Sequence, residues 1–112
     1  MLIYKIFRPS EWAELKAKKE TAGAPVDLAD GYVHFSTAEQ APETLAKHFP
    51  GKADLMLLAV ETDRLGDALK WEPARGGALF PHLYRNLRLA DVAWAQPLPL
   101  RDGQPQLPPG LT

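Results

Sequence analysis

Six consecutive residues, Leu55 to Val60, are apolar at every position, so neither face of the segment they form tolerates water. Pro50-Gly51 precedes the run and Glu61 ends it, which predicts a short central strand buried on both sides. Such a strand needs a partner along each edge and a covering layer over each face. The chain has 112 residues, 46% of them hydrophobic, enough for one core of this kind and too few for two independent ones. The expected unit is therefore a single domain spanning 1–112.

The flanking segments supply the other parts. Residues 2–7 are β-prone and apolar, and Pro9-Ser10 then breaks the run, with Ser10 as the expected N-cap of an amphipathic helix over about 11–20. Glu14 and Lys18 pair at i,i+4 on its polar side, and Trp12 and Leu15 share the other. Gly23 and Pro25 end it, and a loop through Asp27 and Asp30-Gly31 leads to a short strand, Tyr32 to Ser36. Val33 and Phe35 face the core there, with Tyr32, His34 and Ser36 on the opposite side. Thr37-Ala38-Glu39-Gln40 has the form of a capping box opening a helix to about His48, although Pro42 requires either a 3₁₀ first turn or a bend. Residues 69–72 read as another strand, 76–84 as an irregular glycine-hinged loop, and 91–98 as a further strand. Asp102-Gly103 is a hairpin signal. Five of the 11 prolines fall from Pro97 onward, which predicts an edge strand fading into an extended C-terminal end. The fold class is α+β, with a mixed, largely antiparallel sheet packed against two main helices. Trp12, Trp71 and Trp94 are expected in the core.

Charge and composition exclude several functions. Thirteen Lys+Arg against 14 Asp+Glu leave a formal charge of -1, so a protein built mainly to grip DNA or RNA phosphates is not expected. Without cysteine there is no disulfide, thiolate metal site or thiol nucleophile. The apolar run is far short of the roughly 20 residues that span a bilayer, and no signal-peptide pattern opens the chain, so a soluble cytoplasmic protein is expected. Ser10 and Ser36 are the two serines, both read as caps, and no nucleophile elbow or Walker loop is present. His34, His82 and the helix-terminal His48 show no metal-ligand spacing, so no metal is expected.

Two segments can carry chemistry. In Asp30 to Thr37, a histidine stands on the polar side of a strand directly before a helix start. His34, the hydroxyls of Ser36 and Thr37, and the first helical N–H groups could together hold a phosphate or carboxylate, with Tyr32 beside them. In Gly76 to Tyr84, Gly76 and Gly77 let backbone approach a ligand, and His82 and Tyr84, with the helix breaker Pro81 among the candidate binding residues, offer a titrating ring and a phenolic donor beside an apolar wall. Both segments can equally be architectural, with Ser36 and Thr37 capping the helix and the rings plugging the core.

In combination and in this order, Ile3-Tyr4-Lys5-Ile6 with Trp12, Asp30 to Thr37, Leu69 to Pro73 and Phe80 to Tyr84 resemble the bacterial family named domain of unknown function 952. The resemblance covers nearly the whole chain. That family brings no established activity. More remotely, the strand-borne His34-x-Ser36-Thr37 ahead of a helix resembles the ADP-ribosyltransferase superfamily. This implies a sheet split around a cleft with His34 and His82 facing each other across it, NAD as the candidate cofactor, and catalytic roles for His34, His82 and Tyr84. It also implies a late Glu that orients a ribose hydroxyl. Glu is common in the smaller family where this chain has Ala78, so Glu72 or Glu61 would have to substitute. Three functions follow as expectations: a transferase-like enzyme, a non-catalytic module for a nucleotide-like or other anionic metabolite, or a scaffold role for both segments.

Overall fold

The computed structural model describes residues 1–111, with the backbone alone at Arg75. In chain order the elements are β1 (Leu2–Phe7), α1 (Pro9–Lys18), β2 (Glu20–Thr21), α2 (Pro25–Asp30), β3 (Val33–His34), α3 (Ala41–His48) and β4 (Met56–Glu61). They continue with β5 (Leu69–Ala74), β6 (Ala78–Leu83), β7 (Leu87–Arg88), β8 (Val92–Pro97), β9 (Leu100–Arg101) and β10 (Gln104–Pro105). The class is α+β, and every strand pairing among the described residues is antiparallel, so the sheet is not mixed.

Two three-stranded sheets dominate, β1-β4-β8 and β3-β6-β5. The apolar run lies at the centre of the first. Its alternate residues enter two separate clusters: Leu58 and Val60 pack with Ile3, Phe7 and Leu15, whereas Leu55, Leu57 and Ala59 pack with Tyr4, Ile6 and Leu45. A strand with period-two side chains therefore buries both faces, α1 covering one and α3 the other. The second cluster is completed by Leu98, Leu107 and Leu111, so the proline-rich C-terminal stretch is docked rather than free. Its Asp102-Gly103 turn joins β9 to β10 with positive φ at both residues, the hairpin geometry expected of that dipeptide.

The sheets meet at one seam, where Tyr4 and Ser36 exchange backbone hydrogen bonds of 2.8 and 2.9 Å. Beyond β3 the Phe35 N–H donates to the Pro81 carbonyl at 3.0 Å. Pro81 has no N–H to return, so pairing with β6 stops there and the chain is free to turn toward β1.

Several sequence expectations are corrected. Helix α1 starts two residues earlier than expected: Arg8, not Ser10, is the N-cap, because Pro9 suits the first helical position and the Glu11 carboxylate accepts the Arg8 N–H at 2.9 Å. The loop through Asp27 is the short helix α2, again opened by a proline, with Asp27 accepting the Ala24 N–H at 2.7 Å. The main helices are thus three. Residues 78–83 are a strand, β6, rather than an irregular loop. Trp71 and Trp94 are 40% and 36% exposed, since β5 and β8 are edge strands; Trp94 lies beside Ala59 with its ring 6.0 Å from that of Tyr4, at the rim of the second cluster. At Thr37 the capping box forms as expected: Gln40 N–H donates to Thr37 Oγ1 at 3.2 Å and Thr37 N–H to Gln40 Oε1 at 3.0 Å. The tight turn closes before Pro42, leaving that residue in the first turn of α3.

Candidate functional site

In an otherwise apolar β1, Lys5 is buried, and burial of a charge demands a partner. That partner is Asp27 of α2, itself buried, whose two oxygens lie 3.0 and 2.8 Å from Lys5 Nζ. Asp27 also accepts the His34 backbone N–H at 2.9 Å and stands 2.6 Å from His34 Nδ1. With the Ala24 N–H, its carboxylate is surrounded by donors. Burial alone would raise the Asp27 pKa, but the His34 hydrogen bond and the Lys5 charge outweigh it and hold the value below the ordinary range. Lys5 is pulled down by burial, opposed by Asp27. The ionised Asp27 therefore receives a proton-bearing Nδ1 from His34, fixing the ring and aiming Nε2 outward. Nε2 meets the exposed Asp30 carboxylate at 2.9 Å.

His34 and His82 are cross-strand neighbours on β3 and β6, with ring centroids 5.2 Å apart. They do not face one another across a cleft. Adjacent antiparallel strands bring same-face side chains together, and here they build an aromatic cluster. The Tyr32 ring lies 4.6 Å from His34, 4.2 Å from His82 and 5.1 Å from Tyr84. Buried His82 donates from Nδ1 to Glu72 Oε1 at 2.8 Å, and the Tyr84 hydroxyl donates to the same oxygen at 2.6 Å. Those two bonds hold the Glu72 pKa down, that of Tyr84 first. In turn Tyr84 is pushed up to about 12, mainly by its bond to Glu72. The phenol is a fixed donor and not a base at neutral pH. Tyr32 is also raised, by burial and then by the charges of Asp30 and Glu72.

A cavity of about 610 Å³ opens beside this network, between the seam of the sheets, the starts of α1 and α2, and α3. Of the residues singled out in the sequence, Tyr32, His34, Ser36 and His82 line it. Thr37, Gly76, Gly77, Pro81 and Tyr84 do not. Ser36 is buried with its hydroxyl 2.8 Å from that of Thr44, and Thr37 is consumed by the helix cap. Gly76 and Gly77 form the tight β5–β6 turn with φ of 76° and 91° and stand in open space. Neither of the substitute acids reaches the cavity: Glu72 serves His82 and Tyr84, and Glu61 pairs with the amine of Met1. Its two carboxylates are Glu11, bound to Arg8, and Asp30. Arg8 and Lys47 add positive charge to a wall that is otherwise largely apolar, with Ile6, Phe35, Phe49 and Phe80. Among the described residues no cluster of histidines and carboxylates has the arrangement of a metal site.

Sequence reasoning missed Lys5, Asp27 and Asp30. The signals were a single lysine inside an apolar strand, and an aspartate two residues after a proline, where it closes a helix start.

The chain matches the family model described as Protein of unknown function (DUF952) over residues 6–95. It belongs to that family. The crystal structure of CC0527 from Caulobacter crescentus is 54% identical, superposes with a TM-score of 0.90, and the match covers 95% of this chain and 94% of that one. Its solution NMR structure is 52% identical with a TM-score of 0.82, over 93% of this chain and 90% of that one. No curated protein matches this DUF952 chain. No helix among its described residues is long and apolar enough to cross a membrane.

Proposed function

We propose that the cavity binds a small anionic, nucleotide-like ligand, and that His34 is the group that donates a hydrogen bond or proton to it. The observation that carries this is the buried Lys5–Asp27–His34 relay ending at the cavity wall. A buried ion pair seldom repays its desolvation by stability alone, and this one orients a single imidazole toward a space large enough for a metabolite. The volume falls within the roughly 300–1,000 Å³ of small-molecule sites. Arg8 and Lys47 on the same wall favour negative charge, and the aromatic and aliphatic lining suits a planar body.

NAD or ADP-ribose is the specific form suggested by the remote resemblance to ADP-ribosyltransferases. The absence of a cavity-lining Glu72 or Glu61 argues for binding or proton transfer over ribosyl transfer. A scaffold role is favoured for His82, Ser36 and Thr37, because each is engaged by a neighbour within the fold.

The test is an amide NMR titration with NAD, ADP-ribose and inorganic phosphate, repeated on a folded His34→Ala variant. Saturable shifts around residues 32–36 and at Arg8 and Lys47, lost in the variant, are expected. Unchanged spectra at millimolar ligand would overturn the assignment.

A further inference from the structure

Asp30 is an odd residue for its place. It closes α2, where the helix carbonyls make a carboxylate unfavourable, its side chain is 46% exposed, and His34 is its one partner among the described residues. The contact is nonetheless close, 2.9 Å to Nε2. Inward of that contact, Asp27 is already matched by Lys5. A doubly protonated His34, which alone can donate to both carboxylates, leaves the buried cluster one positive charge in excess. Asp30 is the counter-ion that balances it from the solvent side. Lys5 also lines the cavity: its buried ammonium has three N–H donors, Asp27 offers it two oxygens, and the Phe7 ring lies 5.8 Å from Nζ.

We propose that Asp30 is a built-in stand-in for the ligand: its carboxylate occupies, on His34 Nε2, the position taken by the ligand's anionic oxygen. This rests on the cavity being a ligand site and adds which atom receives the anion and which residue sets its affinity. Being exposed and held by one contact, Asp30 rotates into water when a phosphate or carboxylate group arrives. The buried network does not rearrange, because Asp27 keeps Nδ1 in place. Asp30 therefore selects for ligands that carry a full negative charge, since a neutral acceptor cannot displace a carboxylate from an imidazolium.

The experiment measures the affinity of adenosine 5′-monophosphate and of inorganic phosphate by calorimetry for the full chain, Asp30→Asn, His34→Gln and the double variant. Circular dichroism checks folding, which an exposed Asp30 does not control. Asp30→Asn is expected to bind the monophosphate about fivefold more tightly. In the His34→Gln background the same change is expected to have no effect, which separates displacement from a general loss of negative charge. Unaltered or weaker binding by Asp30→Asn, with the parent protein binding normally, overturns the stand-in role and leaves the cavity assignment intact. An equal gain in both backgrounds also overturns it. Failure of every form to bind either probe overturns the cavity assignment together with it.

Discussion

Gly23 lies against the Asp27 carboxylate so closely that a Cβ on it would fall 2.2 Å from Oδ2. The glycine has φ of +107°, so both the space and the backbone exclude a side chain. Gly23→Ala is expected to cost about 1–3 kcal/mol in backbone strain, with the overlap in addition. Urea unfolding measures it; an unchanged midpoint would show that Asp27 is less tightly enclosed than described.

Breaking the ion pair from the other side leaves a buried charge behind. Lys5→Met is expected to destabilise the fold by about 3–5 kcal/mol. With Asp27→Leu added, the combined loss should be smaller than the sum of the two singles, because the ion pair is lost only once, while the Ala24 and His34 donors are orphaned in both forms that lack Asp27. A double variant as unstable as the sum of the two singles would contradict this coupling.

The same carboxylate sets the acid limb of stability. Asp27 and Asp91 both have folded pKa values below the ordinary 3.8, in each case because donors, chiefly His34 for Asp27 and Arg85 for Asp91, outweigh burial. Their contribution is present above the unfolded value and is lost as pH falls through the folded one. Urea midpoints should therefore drop below about pH 4, and Asp27→Asn should flatten that drop. An acid limb equally steep in the variant would rule out Asp27 as a source.

Tyr84 and Glu72 make a second, more exposed test. With Tyr84 pushed up to about 12 by its bond to Glu72, Glu72→Gln should return one tyrosine toward its ordinary value near 10. Tyr32 should follow in the same direction, since the Glu72 charge also raises it. Ring-carbon NMR resolves the two residues, and titration curves that coincide with the parent would exclude the bond.

The two histidines should separate by phenotype. His82 is 3% exposed and bonded within the fold, so His82→Ala is expected to cost about 2 kcal/mol or more, from the lost bond and the void. His34→Gln should cost less stability and weaken ligand binding. The reverse pattern would move the binding role from β3 to β6.

Patterning read the central strand and its two covered faces correctly because Leu55 to Val60 admits no solvent face. The Thr37–Gln40 cap and the Asp102-Gly103 hairpin were equally legible, each being decided by residues within four of one another. The helix at Pro25 was hidden by brevity: six residues carry too little periodicity, and the Pro25 and Asp27 signals only matter together. β6 was concealed by Pro81, which is tolerated in a strand because pairing with β3 ends at that residue. Trp71 and Trp94 were misplaced because size speaks for burial while edge position decides it. The cluster of His34, His82, Tyr32 and Tyr84 was foreseen as two neighbouring segments, but the direct pairing of β3 with β6 is a long-range fact. Lys5 and Asp27 belong to segments that nothing local joins.

That last separation governs how the molecule comes into being. β5 and β6 are joined by a two-glycine turn and can zip up early, carrying His82 and Glu72 with them. β1 pairs with β4 only by closing a far longer loop than the β5–β6 turn, so that pairing carries the larger entropic cost. Lys5 arrives with β1, Asp27 with α2, and the Tyr4–Ser36 seam closes only when both sheets exist. The relay that orients His34 is therefore expected to form after the β5–β6 hairpin, and a chain halted between the two steps would expose the imidazole without the groups that aim it.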